Sequence, residues 1–335
     1  MNDIKIKNES STTKFMQIVD SIVKGIDSGE IKRNTRLPSI TVFSKRYGIS
    51  RDTVEKAYKK LVEKGYLIAI KGKGNYVLDR QDSRLRILLI FNKLSSYKKI
   101  IYDTFLETLG SNARVDLYIH HYNPDVLREI IDENLDCYNH YVIMPHFFHD
   151  VNEDDYLAVL NAIPADKLLL LDRNLNLDKE VSAVYQDFKS DIYIALKESI
   201  GLTQKYNRIT VVFPKHSNHP IELNGGVMKF CLETEKQFEV VNSTQKELIK
   251  PGSAYILLTE SDLAVLIKQC RQLGLQLGKD VGVLSFNETV LKELLDITVV
   301  TTDFEKMGRI AASLLLENRV DQVKNPFYMI QRNSL

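Results

Sequence analysis

Arg51, Asp52, Thr53 and Lys56 occupy one side of a stretch whose other side is apolar. Val54, Ala57, Tyr58 and Leu61 keep the i, i+3, i+4, i+7 spacing of a buried helix face. Ser50, just before them, is the type of residue whose hydroxyl caps a helix by accepting a free amide hydrogen of the first turn. Such a helix presents a guanidinium, a carboxylate, a hydroxyl and an ammonium near its N-terminal end. These are groups that read base edges in a DNA major groove. The same pattern also fits an ordinary amphipathic helix with a solvated face, so its neighbours must decide. A second basic group, Lys71-Gly72-Lys73-Gly74, lies between two short apolar runs. It reads as the tip of a β-hairpin, where two lysines can meet phosphate.

A different chemistry is spread over the remainder of the chain. Several apolar, strand-like runs end in polar or aromatic residues: Phe91-Asn92, Pro145-His146-Phe147, Asp172-Arg173, Gln186-Asp187, Thr259-Glu260, Asn287-Glu288 and Thr302-Asp303. Carboxylates, amides and an arginine set around aromatic faces suit a polyhydroxylated ligand. Paired donors and acceptors bracket hydroxyls, and a ring covers an apolar face. Taken singly, each of these pairs also fits a loop or a helix cap. Asp172-Arg173 combines both charges and is the strongest candidate.

The elements that must position these groups follow from the pattern. Thr12 or Thr13 caps a first helix with Met16, Val19, Ile22, Val23 and Ile26 on its inner face, closed by Ser28-Gly29. Residues 30–37 connect it, with room for a short strand, to a second helix entered through Pro38 and capped by Ser39, with Phe43 and Tyr47 inward. Gly48 turns the chain into the helix of Arg51, and residues 66–70 and 75–78 form the strands of the hairpin. Three helices and a basic β-wing make a winged helix-turn-helix. Residues 1–84 hold 18 lysines and arginines against 10 carboxylates, whereas the rest holds 27 against 34. A small basic part joined to a larger acidic one is expected when the first part alone meets a polyanion.

Residues 13–78 resemble the GntR family of bacterial transcription regulators. The likeness rests on Ile26-Asp27-Ser28-Gly29-Glu30-Ile31, Arg36-Leu37-Pro38-Ser39, Gly48-Ile49-Ser50-Arg51-Asp52-Thr53-Val54, Ala57-Tyr58, Leu61, Gly65-Tyr66-Leu67 and the wing Lys71-Gly72-Lys73-Gly74. The resemblance implies operator binding, with Arg51 and Thr53 at the recognition-helix contacts and Gly72 and Gly74 in a minor-groove wing. The expected DNA-facing set is Arg36, Ser39, Thr41, Ser50, Arg51, Asp52, Thr53, Lys56, Lys71, Gly72, Lys73 and Gly74. Thr41 and Glu55 stand where many members have arginine, so the operator half-site departs from the commonest one. Asp52 has two readings, a complement to the positive helix start or an acceptor from cytosine.

Beyond a polar linker at 79–83, strand-like runs at Leu85–Phe91, 116–120, 141–144, 167–171, 183–185, 208–213, 254–258 and 281–285 alternate with helical stretches at 98–109, 124–134, 188–206, 262–273 and 306–317. That alternation predicts a doubly wound α/β fold in one or two lobes, with ligands beyond the carboxyl ends of the strands. Residues 85–335 resemble the LacI-type effector domain, which has the two-lobed, type I fold of periplasmic sugar-binding proteins. The likeness is clearest at Leu171-Asp172-Arg173, at 278–287, at Val300-Thr301-Thr302-Asp303 and at 307–312. It implies that Asp172, Arg173, Asn287 and Thr302 contact a sugar. Asn287 replaces the more usual Asp and Thr302 the more usual Gln, and an arginine common near Leu223–Gly226 is missing.

The expectation is therefore an N-terminal winged helix-turn-helix domain, 1–80, followed by a two-lobed α/β effector and dimerisation domain, 81–335. The effector candidates are Phe91, Asn92, His146, Phe147, Asp172, Arg173, Gln186, Asp187, Glu260, Asn287 and Thr302. The expected partners are pseudo-palindromic operator DNA, a second copy of the chain and a monosaccharide, with no cofactor, metal or membrane. No Gly-rich phosphate loop, HExxH or GxSxG motif points to an enzyme. His146 and His149 lack a ligand partner at metal spacing. Three well-separated cysteines and an N-terminus without a signal-peptide core point to a reducing cytoplasm. An enzyme acting on a sugar or nucleoside, or an architectural DNA-binding protein, are the alternatives; both leave part of the pattern unexplained.

Overall fold

The computed structural model describes residues 13–78, 84–215, 218–244 and 249–335; the expected N-terminal tail at 1–11 and the linker at 79–83 lie outside them. The first part is three helices and a hairpin. Helix α1 (Lys14–Asp27) starts at Thr13, α2 (Ile40–Tyr47) at Ser39 and α3 (Arg51–Glu63) at Ser50, each cap hydroxyl accepting an amide hydrogen three residues on. Gly48 takes φ 63°, the left-handed conformation that the tight α2–α3 turn requires. Strands β1 (Leu67–Ile70) and β2 (Gly74–Val77) pair antiparallel. The connector before α2 lies along β2: Asn34 and Leu37 donate to Val77 and Asn75, and Val77 donates to Thr35. Leu37 is buried, and the Tyr58 hydroxyl donates to the Pro38 carbonyl at 2.9 Å, so the Leu-Pro-Ser segment pins α3 in place.

The core of this part contains Ile18, Val19, Ile22, Phe43, Val54, Ala57, Tyr58 and Leu61. The α3 face reads as its spacing predicts. On α1 the stripe is turned: Ile18 is fully buried while Met16 is 36% exposed. Both positions fit a helical period, and packing against α3 selects the one that points inward.

The α/β part opens with β3 (Leu85–Phe91), α4 (Ser96–Leu109), β4 (Ala113–Ile119), α5 (Pro124–Asn134), β5 (His140–Ile143), α6 (Glu153–Ala162), β6 (Leu168–Asp172) and β7 (Ser182–Tyr185). It continues with α7 (Phe188–Glu198), α8 (Ile200–Thr203), β8 (Arg208–Val212), α9 (Glu222–Glu233), β9 (Gln237–Val241), β10 (Ser253–Leu257), α10 (Glu260–Leu273), β11 (Val281–Phe286), α11 (Val290–Leu294), β12 (Thr298–Thr302), α12 (Phe304–Leu316), β13 (Gln322–Lys324) and β14 (Phe327–Ile330). The strands form two six-stranded sheets, ordered β4-β3-β5-β6-β7-β13 and β9-β8-β10-β11-β12-β14. In the second sheet β9 through β12 run parallel and β14 closes the edge antiparallel. Both orders begin in the sense of a doubly wound sheet, with the switch point between the first and third strands of each lobe.

The chain expected to be one helix at 188–206 is two, α7 and α8, broken at Ser199. Strands β9, β13 and β14 and helices α6 and α11 were not anticipated. They are short, edge-located or weakly periodic, and so carry little pattern of their own. Helix α7 packs its Ile192, Ala195 and Leu196 into the core of the second sheet, although it follows β7 of the first. Helix α12 follows β12 of the second sheet and packs on α4 and β7 of the first. The chain thus passes between the lobes after β7, after β12 and between β13 and β14. Asn325, 1% exposed, ties these passages together: its amide N–H donates to Tyr185 O at 2.7 Å and its side-chain amide to Asp303 O at 3.1 Å. Asp303 N in turn donates to Pro326 O.

Candidate functional site

Two candidate surfaces come from these elements. The first is the exposed face of α3 with the wing. Ser50 is bound into the cap: its hydroxyl accepts from Thr53 N at 3.2 Å and lies 2.7 Å from the Thr53 hydroxyl. Asp52 pairs with Lys56 at 2.9 Å, and this contact raises the Lys56 pKa. The pair favours the first of the two readings of Asp52, since a carboxylate in the first turn also complements the helix dipole. Arg51 is exposed and has no partner among the described residues. Lys71, Gly72 and Lys73 are exposed at the hairpin tip; Gly72 and Gly74 take φ 74° and 102°, which L side chains adopt only under strain. Arg36 lies against Gly74, where a Cβ would come within 3.0 Å of its Nε. The guanidinium thus lies beside the wing. Ser39 caps α2, and Thr41 is half-buried in its first turn.

The second is a cavity of about 400 Å³ between the two sheets of the α/β part, within the usual size of a small-molecule site. It is reached from the carboxyl ends of the strands. Asn92 follows β3, His146 follows β5, Asp172 ends β6, Gln186 follows β7, Glu260 follows β10, Asn287 follows β11 and Thr302 ends β12, and all seven line it. Asp172 and Asn287 occupy matching positions in the two lobes and share a left-handed backbone, φ 72° and 64°. Asp and Asn tolerate that conformation better than other side-chain-bearing residues. The twist turns each chain sharply away from its strand at the cavity wall.

Four candidates do not line the cavity. Phe91 is 1% exposed, in the core of its sheet. Phe147 stacks on Tyr156 at 4.3 Å beneath the wall. Arg173 turns out to Glu222, 3.1 Å away, and Asp187 caps α7 through Ser190 N. Sequence order cannot separate these from their neighbours, because adjacent residues at a strand end point to opposite sides. Conversely, Lys98 and Lys292 line the cavity although neither was among the expected effector residues. Each sits in the first turn of a helix that follows a strand, so extending the strand-end rule by one helical turn would have found both. Aromatic rings complete the lining: Tyr97 stacks on Phe304 at 5.1 Å, and Phe188, Phe286 and Phe327 lie nearby.

Asp172 organises the floor. Its Oδ2 accepts from His146 Nε2 at 2.8 Å and lies 3.5 Å from Lys98 Nζ, and its Oδ1 accepts from Gln186 Nε2 at 2.9 Å. Burial alone would push this carboxyl up. The Lys98 charge and the hydrogen bonds from His146 and Gln186 outweigh it, and the group stays ionised well below the carboxylate range. Burial lowers Lys98, against the pull of Asp172. Burial also lowers His146 by more than Asp172 lifts it, so the ring is neutral and its contact is a hydrogen bond rather than an ion pair. Lys292, 2% exposed, donates to the carbonyls of Phe286 at 2.6 Å and Asn287 at 2.9 Å and holds that loop.

Below the wall, His120 is fully buried and its Nε2 faces Met144 O at 2.9 Å; burial lowers its pKa to about 4. His219 on the cavity edge is lowered to about 4 as well, by burial and then by Lys93. Between pH 6.5 and 4 the unfolded chain therefore binds protons that the folded one refuses, so stability falls as pH drops through this window. His120 alone is worth about 2 kcal/mol between pH 7 and 5. Urea unfolding of His120→Gln should show a shallower acid-side loss than the parent; parallel pH profiles would remove the assignment.

Two stretches of the chain match models of known protein families. Residues 15–77 match the model of bacterial regulatory proteins of the gntR family, and residues 202–330 match that of a periplasmic binding protein-like domain. The chain joins a GntR-type DNA-binding domain to a periplasmic binding protein-like domain. This pairing is that of a transcription regulator. The regulator is similar to the HTH-type transcriptional regulator TreR of Bacillus subtilis, 26% identical over 203 residues that span 59% of this chain and 74% of TreR. It is similar along nearly its whole length to the arabinose metabolism transcriptional repressor of Geobacillus stearothermophilus, at 22% identity, 97% of this chain and 98% of that one. Among solved structures, the trehalose repressor from Escherichia coli covers 74% of the regulator and 100% of its own chain, with TM-score 0.60 at 16% identity, and so shares the fold of the α/β part. No helix among the described residues is long and apolar enough to cross a membrane.

Proposed function

We propose that the regulator is a repressor of transcription, divided at about residue 80 into a DNA-binding and an effector domain, whose operator affinity is set by a monosaccharide in the cavity of the α/β part. The observation that carries this reading is the convergence of Asn92, His146, Asp172, Gln186, Glu260, Asn287 and Thr302 on one cavity at the carboxyl ends of two sheets. Its mixed amides, carboxylates and aromatic rings match a ligand with hydroxyls and an apolar face. The names of similar proteins, an arabinose metabolism repressor among them, point the same way.

Binding would draw the lobes together about the three passages tied at Asn325. Two copies of the chain would place two α3 helices on the half-sites of a pseudo-palindromic operator. A lobe rotation that changes their separation shifts affinity by about 1–3 kcal/mol, typical of coupling between sites. The cavity binds rather than transforms its ligand, so the sugar is recovered unchanged.

The test measures operator affinity by fluorescence anisotropy with and without each of a panel of monosaccharides. A thermal-shift screen first selects those that raise the melting temperature, as a ligand specific to the folded state must. A sugar that stabilises the protein and changes operator affinity about 5- to 150-fold supports the reading. Stabilisation with no change at the operator would sink it, and so would consumption of the sugar.

A further inference from the structure

The cavity wall is not evenly charged. Three lysines line it, Lys93, Lys98 and Lys292, against two carboxylates, Asp172 and Glu260. The positive side lies at the start of α4. Ser95, Ser96, Tyr97 and Lys98, the cap and first turn of that 14-residue helix, all line the cavity. Ser95 Oγ accepts the Lys98 amide hydrogen, but the amide groups of Ser96 and Tyr97 have no acceptor among the described residues. The cap is neutral and the first turn holds no carboxylate. Helices α7 and α12, which also start at the cavity, are capped by Asp187 and Asp303.

Instead of an acid, the first turn of α4 carries Lys98, 7% exposed, where an ammonium opposes the helix dipole. Its counter-charge, Asp172, is shared with His146 and Gln186. Lys93, three residues before the first helical residue, is exposed and has no counter-ion among the described residues. A second and independent observation marks the same wall. Asn92 is 2% exposed, and its Oδ1 is buried with no hydrogen-bond partner among the described residues. A buried acceptor left unpaired costs stability until a donor reaches it; Asn92 lines the cavity, and a turn of its amide would bring Oδ1 to a ligand hydroxyl, which is such a donor.

We propose that the cavity takes an anionic sugar, whose phosphate or carboxylate group sits at the start of α4 between Lys93 and Lys98 while a hydroxyl reaches Asn92. This rests on the reading of the cavity as the effector site and narrows the ligand from a monosaccharide to a charged one. First-turn amides and a flanking ammonium are the usual means of holding such a group. A neutral sugar would satisfy Asn92 but leave the α4 start and Lys93 without an anion.

Calorimetry on the full chain, with matched sets of neutral pentoses and hexoses, their terminal phosphates and the corresponding uronic acids, tests this. The expected result is one anionic member bound at least about 10-fold tighter than its neutral parent, a preference that salt weakens. In Lys93→Gln, whose exposed side chain is dispensable for folding, the ratio should fall towards one. Comparing phosphates with uronic acids identifies the group, and inorganic phosphate serves as control. Equal affinity for neutral and charged forms overturns the anion assignment and leaves the sugar reading standing. A preference undiminished in Lys93→Gln overturns its place at α4, and inorganic phosphate binding as tightly as any sugar phosphate overturns the sugar component. Binding of no member, neutral or charged, overturns both readings together.

Discussion

Asp172→Asn should lower the stability of the regulator by about 3–5 kcal/mol and abolish its response to ligand. Removing one partner of a buried ion pair leaves the other charge uncompensated, which is the source of that magnitude. Here the stranded group is Lys98, 3.5 Å away and buried beside the helix start. Asparagine is the informative replacement because residue 172 has φ 72°, a conformation that Asn tolerates nearly as well as Asp. The backbone then stays as it is, and the loss is electrostatic. Urea unfolding at pH 7 measures the first effect and ligand titration the second. The two can be separated: a lower midpoint with undiminished ligand affinity would leave Asp172 as a structural anchor and remove it from the site. An unchanged midpoint would mean that Lys98 sheds its proton in the variant without cost.

Arg51→Ala should weaken operator binding by about 1–3 kcal/mol at fixed salt and relax discrimination at one base position. The helix itself should survive, since alanine has the best helix propensity and the Ser50 cap and the buried face of Val54, Ala57, Tyr58 and Leu61 do not involve Arg51. The weight placed on Arg51 comes from its neighbours. Ser50 and Thr53 spend their hydroxyls on each other and on the helix start, and Asp52 is paired with Lys56. Arg51 is left as the free donor at the end of the helix that would enter the groove. A duplex selected by the parent chain from random sequence supplies the operator. Equal affinity of parent and variant for that duplex, measured by anisotropy, would rule out base contact. Loss that is uniform across sequences would make Arg51 a phosphate ligand instead.

The winged helix was legible almost residue by residue. The caps Thr13, Ser39 and Ser50, the left-handed Gly48 and the apolar face of α3 are local devices, decided within a turn of their own position. Where two readings of a local pattern compete, packing chooses: Ile18 went inward on α1 and Met16 did not. The α/β part was legible as alternation. Its long buried strands β3, β6 and β11 stand out as continuous apolar runs. The short edge strands β13 and β14 do not, because an edge strand of three or four residues has little surface to bury.

By itself, the sequence determined the order of the domains, the chemistry of the α3 face and the rule that ligand groups follow strand ends. These depend on spacing along the chain and on which side chains water rejects. Tertiary structure alone decided which of two adjacent strand-end residues faces the cavity. It put Asp172 in and Arg173 out, Asn92 in and Phe91 under the wall. It also made Lys98, which the sequence places only at the start of a helix, the buried partner of a carboxylate 74 residues away in sequence. Both outcomes depend on direction in space: the twist of a strand and the approach of a helix from elsewhere in the chain set where a side chain points, and spacing in sequence does not record either.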